Sequence, residues 1–317
     1  MKPDISRFSL GVTASGSLYS GVRMGDAHIE IATVDFEAGK LLAGPAKRVG
    51  VGNNGAPQWS PDGKYLAYRS NRPPPVYNVF VGNYSLETGL VRELQPKLTY
   101  FENIRWAPDW RSFTVEGKDL QGRQGVYQVD AQTAEVRPIA APASGRTSLD
   151  GRKFYYRKNL ATDGFAFVER DLASGYEREI FRRKGLGGLN LSPDGRFIAT
   201  PYRDETTKSS GLLLISISGG EPQELLKASQ PSSLVAVFWM PDGRAILVNK
   251  ALNDSQNELL LVPTAGGQPR KVDLGVTRFA GFAVHPDGKQ IAYVVGGRGT
   301  AEVWALENFL PTLNAKK

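Results

Sequence analysis

The stretch that decides the fold is Pro57–Tyr68, which reads P-Q-W-S-P-D-G-K-Y-L-A-Y. Pro61 presets φ for the first central position of a tight turn, and Asp62 can accept hydrogen bonds from the backbone beyond it. Gly63 offers the left-handed conformation that lets the chain reverse into a hairpin. After the turn, Leu66 and Tyr68 alternate with Tyr65 and Ala67, the period-2 pattern of a two-faced strand.

The hairpin recurs along the chain. Its turn returns as W-A-P-D-W at Asp109, T-S-L-D-G at Asp150, L-S-P-D-G at Asp194, W-M-P-D-G at Asp242 and V-H-P-D-G at Asp287, at intervals of 41 to 48 residues. Three positions before the Asp stand Trp59, Trp106, Thr147, Leu191, Trp239 and Val284. Four positions after it stand Leu66, Phe113, Phe154, Ile198, Ile246 and Ile291, and six after it Tyr68, Val115, Tyr156, Thr200, Val248 and Tyr293. Apolar runs such as Val79–Tyr84 and Leu212–Ile217 follow each hairpin and lead into small turns at Gly89, Ala134, Gly175, Gly220 and Gly267, and short strands follow those turns. Each repeat of about 45 residues therefore holds four strands, the period of a propeller blade.

The stretch His28–Phe36, leading into Gly39, matches the third strand and its turn, and backward alignment puts Thr13–Gly16 in the turn position and Tyr19 in the Leu66 column. Counting this first repeat gives seven, at about 6–50, 51–97, 98–140, 141–184, 185–228, 229–274 and 275–311. The expected fold is all-β: a single β-propeller domain over 1–317 with seven four-stranded blades, six being the alternative. The last repeat lacks a Gly turn after Asn308, so the first residues of the chain are expected to supply its outer strand.

The repeats W-S-P-D-G-K-Y-L-A-Y and L-S-P-D-G-R-F-I-A resemble the WD40-like PD40 repeats of TolB-type β-propellers, and the ending Glu302–Pro311, E-V-W-A-L-E-N-F-L-P, resembles the close of such propellers. The resemblance covers nearly the whole chain. It implies a closed propeller acting as a periplasmic or extracytoplasmic binding module. TolB itself has six blades and an additional N-terminal α/β domain that this chain lacks. The same repeat also occurs in propellers of prolyl oligopeptidase-type peptidases and some lyases, so it specifies fold more narrowly than function.

Composition sets the other bounds. With 317 residues, 41% hydrophobic and 22% charged, the chain has the make-up of a soluble globular protein. No apolar run approaches the ~20 residues of a membrane-spanning helix. The start M-K-P-D-I-S-R-F-S-L has no apolar core of signal-peptide length. The expectation is an extracytoplasmic mature form, with a cytoplasmic protein as the alternative. Cysteine is absent, which removes disulfides, thiolate ligands and a cysteine nucleophile. The net charge of +7 favours acidic partners. The basic residues are scattered, without a stripe or recognition helix, so nucleic acid is not the expected partner.

The repeating aspartates mimic a ring of acids, but each belongs to the turn of its own hairpin and reads as structural. The basic residues two positions later, Lys64, Arg111, Arg152, Arg196, Arg244 and Lys289, read as solvated strand positions. Gly50–Gly55, G-V-G-N-N-G, matches a dinucleotide fingerprint but leads into a hairpin rather than a helix. His28 and His285 are too few for a multi-histidine metal site, and no G-x-S-x-G elbow is present. No cofactor, metal or catalytic residue is expected.

Function is expected in the loops that lead into each innermost strand, around one mouth of the central channel. These carry Asn53 and Asn54, Tyr100 to Arg105 with Glu102, Arg146, Asn190 and Arg278, a polar and on balance basic set. It suits a monomeric module binding a protein or peptide that bears acidic groups. A propeller enzyme of lyase or lactonase type with its site at the mouth is one alternative. The sensor domain of a larger membrane protein is another.

Overall fold

A computed structural model describes residues 5–306 apart from 14–16, 25–26, 43–45, 51–52, 72–78, 108–109, 141–144, 162–163, 230–231, 254–255, 277–278 and 297–299; the side chains of 5–10, 20–24, 79, 140, 300–302, 304 and 306 are also outside the description. The described elements are strands joined by turns, without an α-helix. Five consecutive antiparallel four-stranded sheets follow the repeats. Blade 1 comprises Asn53–Trp59, Tyr65–Asn71, Val79–Ser85 and Val91–Leu94. Blade 2 comprises Leu98–Trp106, Ser112–Asp119, Gln124–Asp130 and Val136–Ala140. Blade 3 runs through Gly145–Thr147, Lys153–Asn159, Phe165–Asp171 and Glu177–Arg183. Blade 4 runs through Asn190–Leu191, Phe197–Asp204, Ser209–Ser216 and Gln223–Ser229. Blade 5 takes Ser233–Trp239, Ala245–Ala251, Asn257–Pro263 and Arg270–Val272.

Blade 6 is assembled from both ends of the chain. Phe279–Val284 and Gln290–Val295 pair in sequence, and the next strand is His28–Asp35, flanked by Lys40–Leu41 and Lys47–Val49. The ring therefore closes with an N-terminal strand, but with residues 28–49 rather than the first residues.

The propeller has six blades, the alternative count, and not seven. The His28–Phe36 signal was a true third strand, and the hairpin around Asp287 was a true first hairpin. They are two halves of one blade, so counting each as a repeat adds a blade that does not exist. Blade 6 also packs directly on blade 1, which leaves no gap for another sheet: Trp59 Nε1 donates to the Ala283 carbonyl at 3.1 Å, and His285 Nε2 lies 2.9 Å from the Gly63 carbonyl oxygen. The residual N-terminal strands Ile5–Val12 and Leu18–Met24 form a separate three-stranded sheet with Thr300–Leu306. Tyr19, aligned by sequence with the fully buried Leu66, is 39% exposed there.

The core lies between blades, as it must when a sheet cannot cover its own faces. One apolar cluster joins Ile29 and Ala292 of blade 6 to Leu66 and Tyr68 of blade 1. A second joins Val81 to Phe113, a third Val126 to Phe154, and a fourth Phe167 to Ile198. The last two join Leu212 to Val248 and Leu259 to Phe282. Each of the six seams thus has its own core. The two sequence columns four and six positions after the Asp are buried in every blade.

All the 1–2 and 3–4 turns of the blades fall at one end of the ring. There the structural reading of the aspartates is explicit. In blades 1, 3 and 4, Ser60, Ser148 and Ser192 donate their hydroxyls to Asp62, Asp150 and Asp194. The same serine oxygens accept from the backbone N–H groups of Tyr65, Lys153 and Phe197, and the carboxylates accept from Lys64, Arg152 and Arg196 N–H. The glycines of these turns, and those of blades 5 and 6, sit at φ between 69° and 72°. Asp109 lies outside the described residues.

Candidate functional site at the channel mouth

The residues singled out from sequence lie on inner strands rather than loops, and Arg105, Arg146 and Asn190 each stand next to last in theirs, nearer the turn end than the mouth. Asn53 and Asn54 open the inner strand of blade 1; Glu102 and Arg105 lie within that of blade 2; Arg146 and Asn190 lie on those of blades 3 and 4. Arg278 lies outside the described residues. Propeller inner strands begin at the mouth, so residues expected on the rim are built into the ring wall.

The structure unites two of them. Arg105 pairs across its blade with Thr114, Arg146 with Tyr155 and Asn190 with Ala199, so the three occupy the same position on successive inner strands. Arg146 Nη1 lies 3.4 Å from Glu116 Oε1 and donates to the Gly145 carbonyl at 2.8 Å. Asn103 Nδ2 donates to the other Glu116 oxygen at 3.0 Å. Asn103 adopts a left-handed φ of 53° where the blade 2 pairing slips between Glu102 and Arg105. That irregularity turns its amide toward Glu116.

Arg105 Nε is buried and without a hydrogen-bond partner. Burial pulls the Arg105 guanidinium well below its usual pKa and the charge of Arg146 pulls it further, while Glu116 opposes both. Burial likewise lowers Arg146, to about 10, again opposed by Glu116. Glu116 therefore pairs directly with Arg146 and acts on Arg105 through its charge. Removing charges from water costs several kcal/mol per ion unless each is paired, so this arrangement holds a positive charge short of one partner.

The surroundings extend the same character. Tyr100 donates to Glu102 Oε2 at 2.6 Å; that bond and burial raise the phenol pKa, and Arg69 opposes them. Arg69 also has a buried Nε without a partner. Glu102 is thus bound to Tyr100. Asn54 stands apart at the seam with blade 6, its N–H donating to the Ala27 carbonyl, with both side-chain amide atoms buried and unpartnered. Asn53 is exposed. Asn190 Nδ2 reaches only the Gly188 carbonyl at 3.4 Å, and its own carbonyl accepts from Trp239 Nε1.

Sequence reasoning missed Glu116 and Arg69. Both stand seven residues after a turn aspartate, where the other blades have Arg157, Pro201, Asn249 and Val294. A column that is polar and varied in four of the six blades, beside two largely apolar ones, was the available signal. His285 belongs to the other end of the ring. Its ring packs edge-on against Trp59 at 4.8 Å, and Nδ1 faces Asp287 at 2.9 Å. Among the described residues, no three His, Asp or Glu side chains gather in a metal-binding group, and no helix is long and apolar enough to cross a membrane.

Comparison with known proteins places the fold. No family model matches the chain. It is 27% identical over 149 residues, 45% of its length, to the uncharacterized peptidase YuxL of Bacillus subtilis (strain 168), and this match spans about a fifth of the relative, 20%. Among solved structures, a protein of Agrobacterium tumefaciens assigned as a TolB superposes with a TM-score of 0.67 at 20% identity, covering 86% of this chain and 99% of that one. TolB from Acinetobacter baumannii gives 0.56 at 15% identity over 95% and 82% of the chains. An oligogalacturonate lyase from Vibrio parahaemolyticus gives 0.52 at 14% identity over 96% and 86%. These likenesses establish a β-propeller fold shared by TolB proteins and by enzymes.

Proposed function

We propose that this propeller is a non-enzymatic binding module that takes a peptide or protein segment bearing carboxylates at the inner-strand wall of the channel. The observation that carries the reading is the pair Arg105 and Arg146 sharing Glu116, with Arg105 Nε left without a partner. A ligand carboxylate would supply the missing counter-charge through charge-assisted hydrogen bonds, which are about twice as strong as neutral ones. Arg69 and the Tyr100–Glu102 pair would flank it. The likeness to TolB propellers supports a protein partner and an extracytoplasmic setting.

A second reading, an enzyme acting at the mouth, draws on the fold shared with the oligogalacturonate lyase, whose named substrate is itself a carboxylated sugar. One titration separates them. A glutamate-rich decapeptide and an oligogalacturonate are each measured by calorimetry against the protein and against Arg105→Gln. The binding-module reading expects peptide affinity to fall at least tenfold in the variant, with no turnover of the sugar. Equal peptide affinity for both proteins rejects the reading, and cleavage of the sugar favours the enzyme.

A further inference from the structure

The turn end of the ring breaks its own pattern at the seam between blades 1 and 2. Where the other described hairpin turns have glycine at φ near 70°, blade 2 has Trp110 at φ 57°. The left-handed region disfavours side chains with a Cβ, and bulky residues are rare there. Residues held in such conformations cluster at binding and active sites. Trp110 is also 57% exposed, so burial of its ring does not compensate.

The neighbouring tryptophan departs from its repeat as well. Trp59 and Trp239 each donate their indole N–H to the inner-strand carbonyl of the preceding blade, at Ala283 and Asn190. These bonds staple the seams. By repeat equivalence Trp106 would reach Gln58, yet its Nε1 is buried without a partner, and its ring is tilted against Phe113 at 4.4 Å. Beside the two tryptophans the seam opens into a groove of about 870 Å³, bordered also by Tyr65, Leu90 and Val91. Those three are 40%, 70% and 38% exposed.

The charged groups of the groove are already engaged. Asp62 is bound by Ser60 and Lys64 N–H, Asp130 by the Gln132 and Thr133 N–H groups, and Arg92 donates to the Gln132 carbonyl. The two acids, Asp62 and Asp130, offset the two bases, Arg92 and Arg111. What remains for a ligand is aromatic and aliphatic surface without net charge, with one donor, Trp106 Nε1, and one acceptor, Asn83 Oδ1, each buried and unpartnered. A sugar needs a dense set of free donors and acceptors, whereas an extended proline-rich segment binds aromatic-lined grooves mainly by shape.

We propose that the groove between blades 1 and 2 is a second binding site, for an extended, uncharged, proline-rich peptide that packs an apolar side chain against Trp110. Its occupant is uncharged, so it does not depend on the function assigned to the arginine pair.

The test uses the indole N–H signals of the five tryptophans in the 15N-labelled protein. The probes are a decapeptide of alternating proline and leucine, and maltohexaose. The expected result is saturable movement of the Trp110 and Trp106 signals with the peptide, little movement at Trp59 and Trp239, and no response to the sugar. Trp110→Gly restores the residue that the turn favours, so the variant should fold with an unchanged or higher Tm while its peptide affinity falls at least tenfold. Its affinity for the acidic decapeptide should stay the same. Unmoved tryptophan signals at millimolar peptide, a response to the sugar instead, or equal proline-peptide affinity in Trp110→Gly would each overturn the proposal.

Discussion

The turn end of this ring and the wall of its channel solve opposite problems. At the turn end, the aspartate recurs in every blade, and in blades 1, 3 and 4 it and a serine satisfy one another's polar groups within the turn. In the wall, equivalent inner-strand positions hold Gln58, Arg105, Arg146, Asn190, Phe238 and Ala283, and buried donors of Arg69 and Arg105 lack partners. Repetition marks what every blade needs in order to close a hairpin. Departure from repetition marks what only one place in the ring needs, and the departures coincide with unsatisfied charge. Trp110 fits the same rule from the other side, as the irregular member of an otherwise regular end.

The largest expected difference between turn end and wall comes from Glu116→Gln. It strips two buried guanidiniums of their shared carboxylate and should destabilise the fold by roughly 3 kcal/mol. The loss should be visible in urea unfolding and partly restored by saturating acidic peptide, because ligand binding to the native state adds stability. A loss that peptide does not relieve would separate the pair from binding.

Ser192→Ala tests the turn end. It removes the donor to Asp194 and the acceptor for the Phe197 N–H, which should cost about 1–2 kcal/mol and leave acidic-peptide affinity unchanged. A shift in affinity would mean that turn end and wall are coupled. Trp110→Gly should move stability the other way, gaining up to about 1 kcal/mol as the strained conformation is relieved.

Acid titration gives a smaller, distributed effect. Asp62, Asp150 and Asp194 are lowered first of all by their serine donors, Asp194 to about 2. Because the folded values lie below the unfolded ones, their contribution is complete above about pH 4 and is lost as pH falls toward 2. Unfolding midpoints measured across that interval should drop in the wild type and drop less in Ser192→Ala.

Much of the fold was legible because three columns of residues, each in six copies, carry it. Leu66, Phe113, Phe154, Ile198, Ile246 and Ile291 are all buried at the same point of their strands, and six copies correspond to six blades. The seventh arose from a closure that cuts one repeat in two. Period and spacing cannot reveal that His28–Asp35 pairs with Gln290–Val295 across the length of the chain. The site was half legible. Arg105 and Arg146 stood out by charge and position, but their burial and their sharing of Glu116 depend on contacts between blades, which a one-dimensional repeat does not encode. Trp110 was visible as a tryptophan in a glycine's place, and its meaning came only with φ and the open seam.

The most direct test of the account is a crystal structure of the protein with the glutamate-rich decapeptide. The account predicts a peptide carboxylate within hydrogen-bonding distance of Arg105 Nε in the channel wall, with Glu116 still on Arg146. A peptide seated elsewhere on the ring, with Arg105 Nε as unpartnered as before, would contradict it.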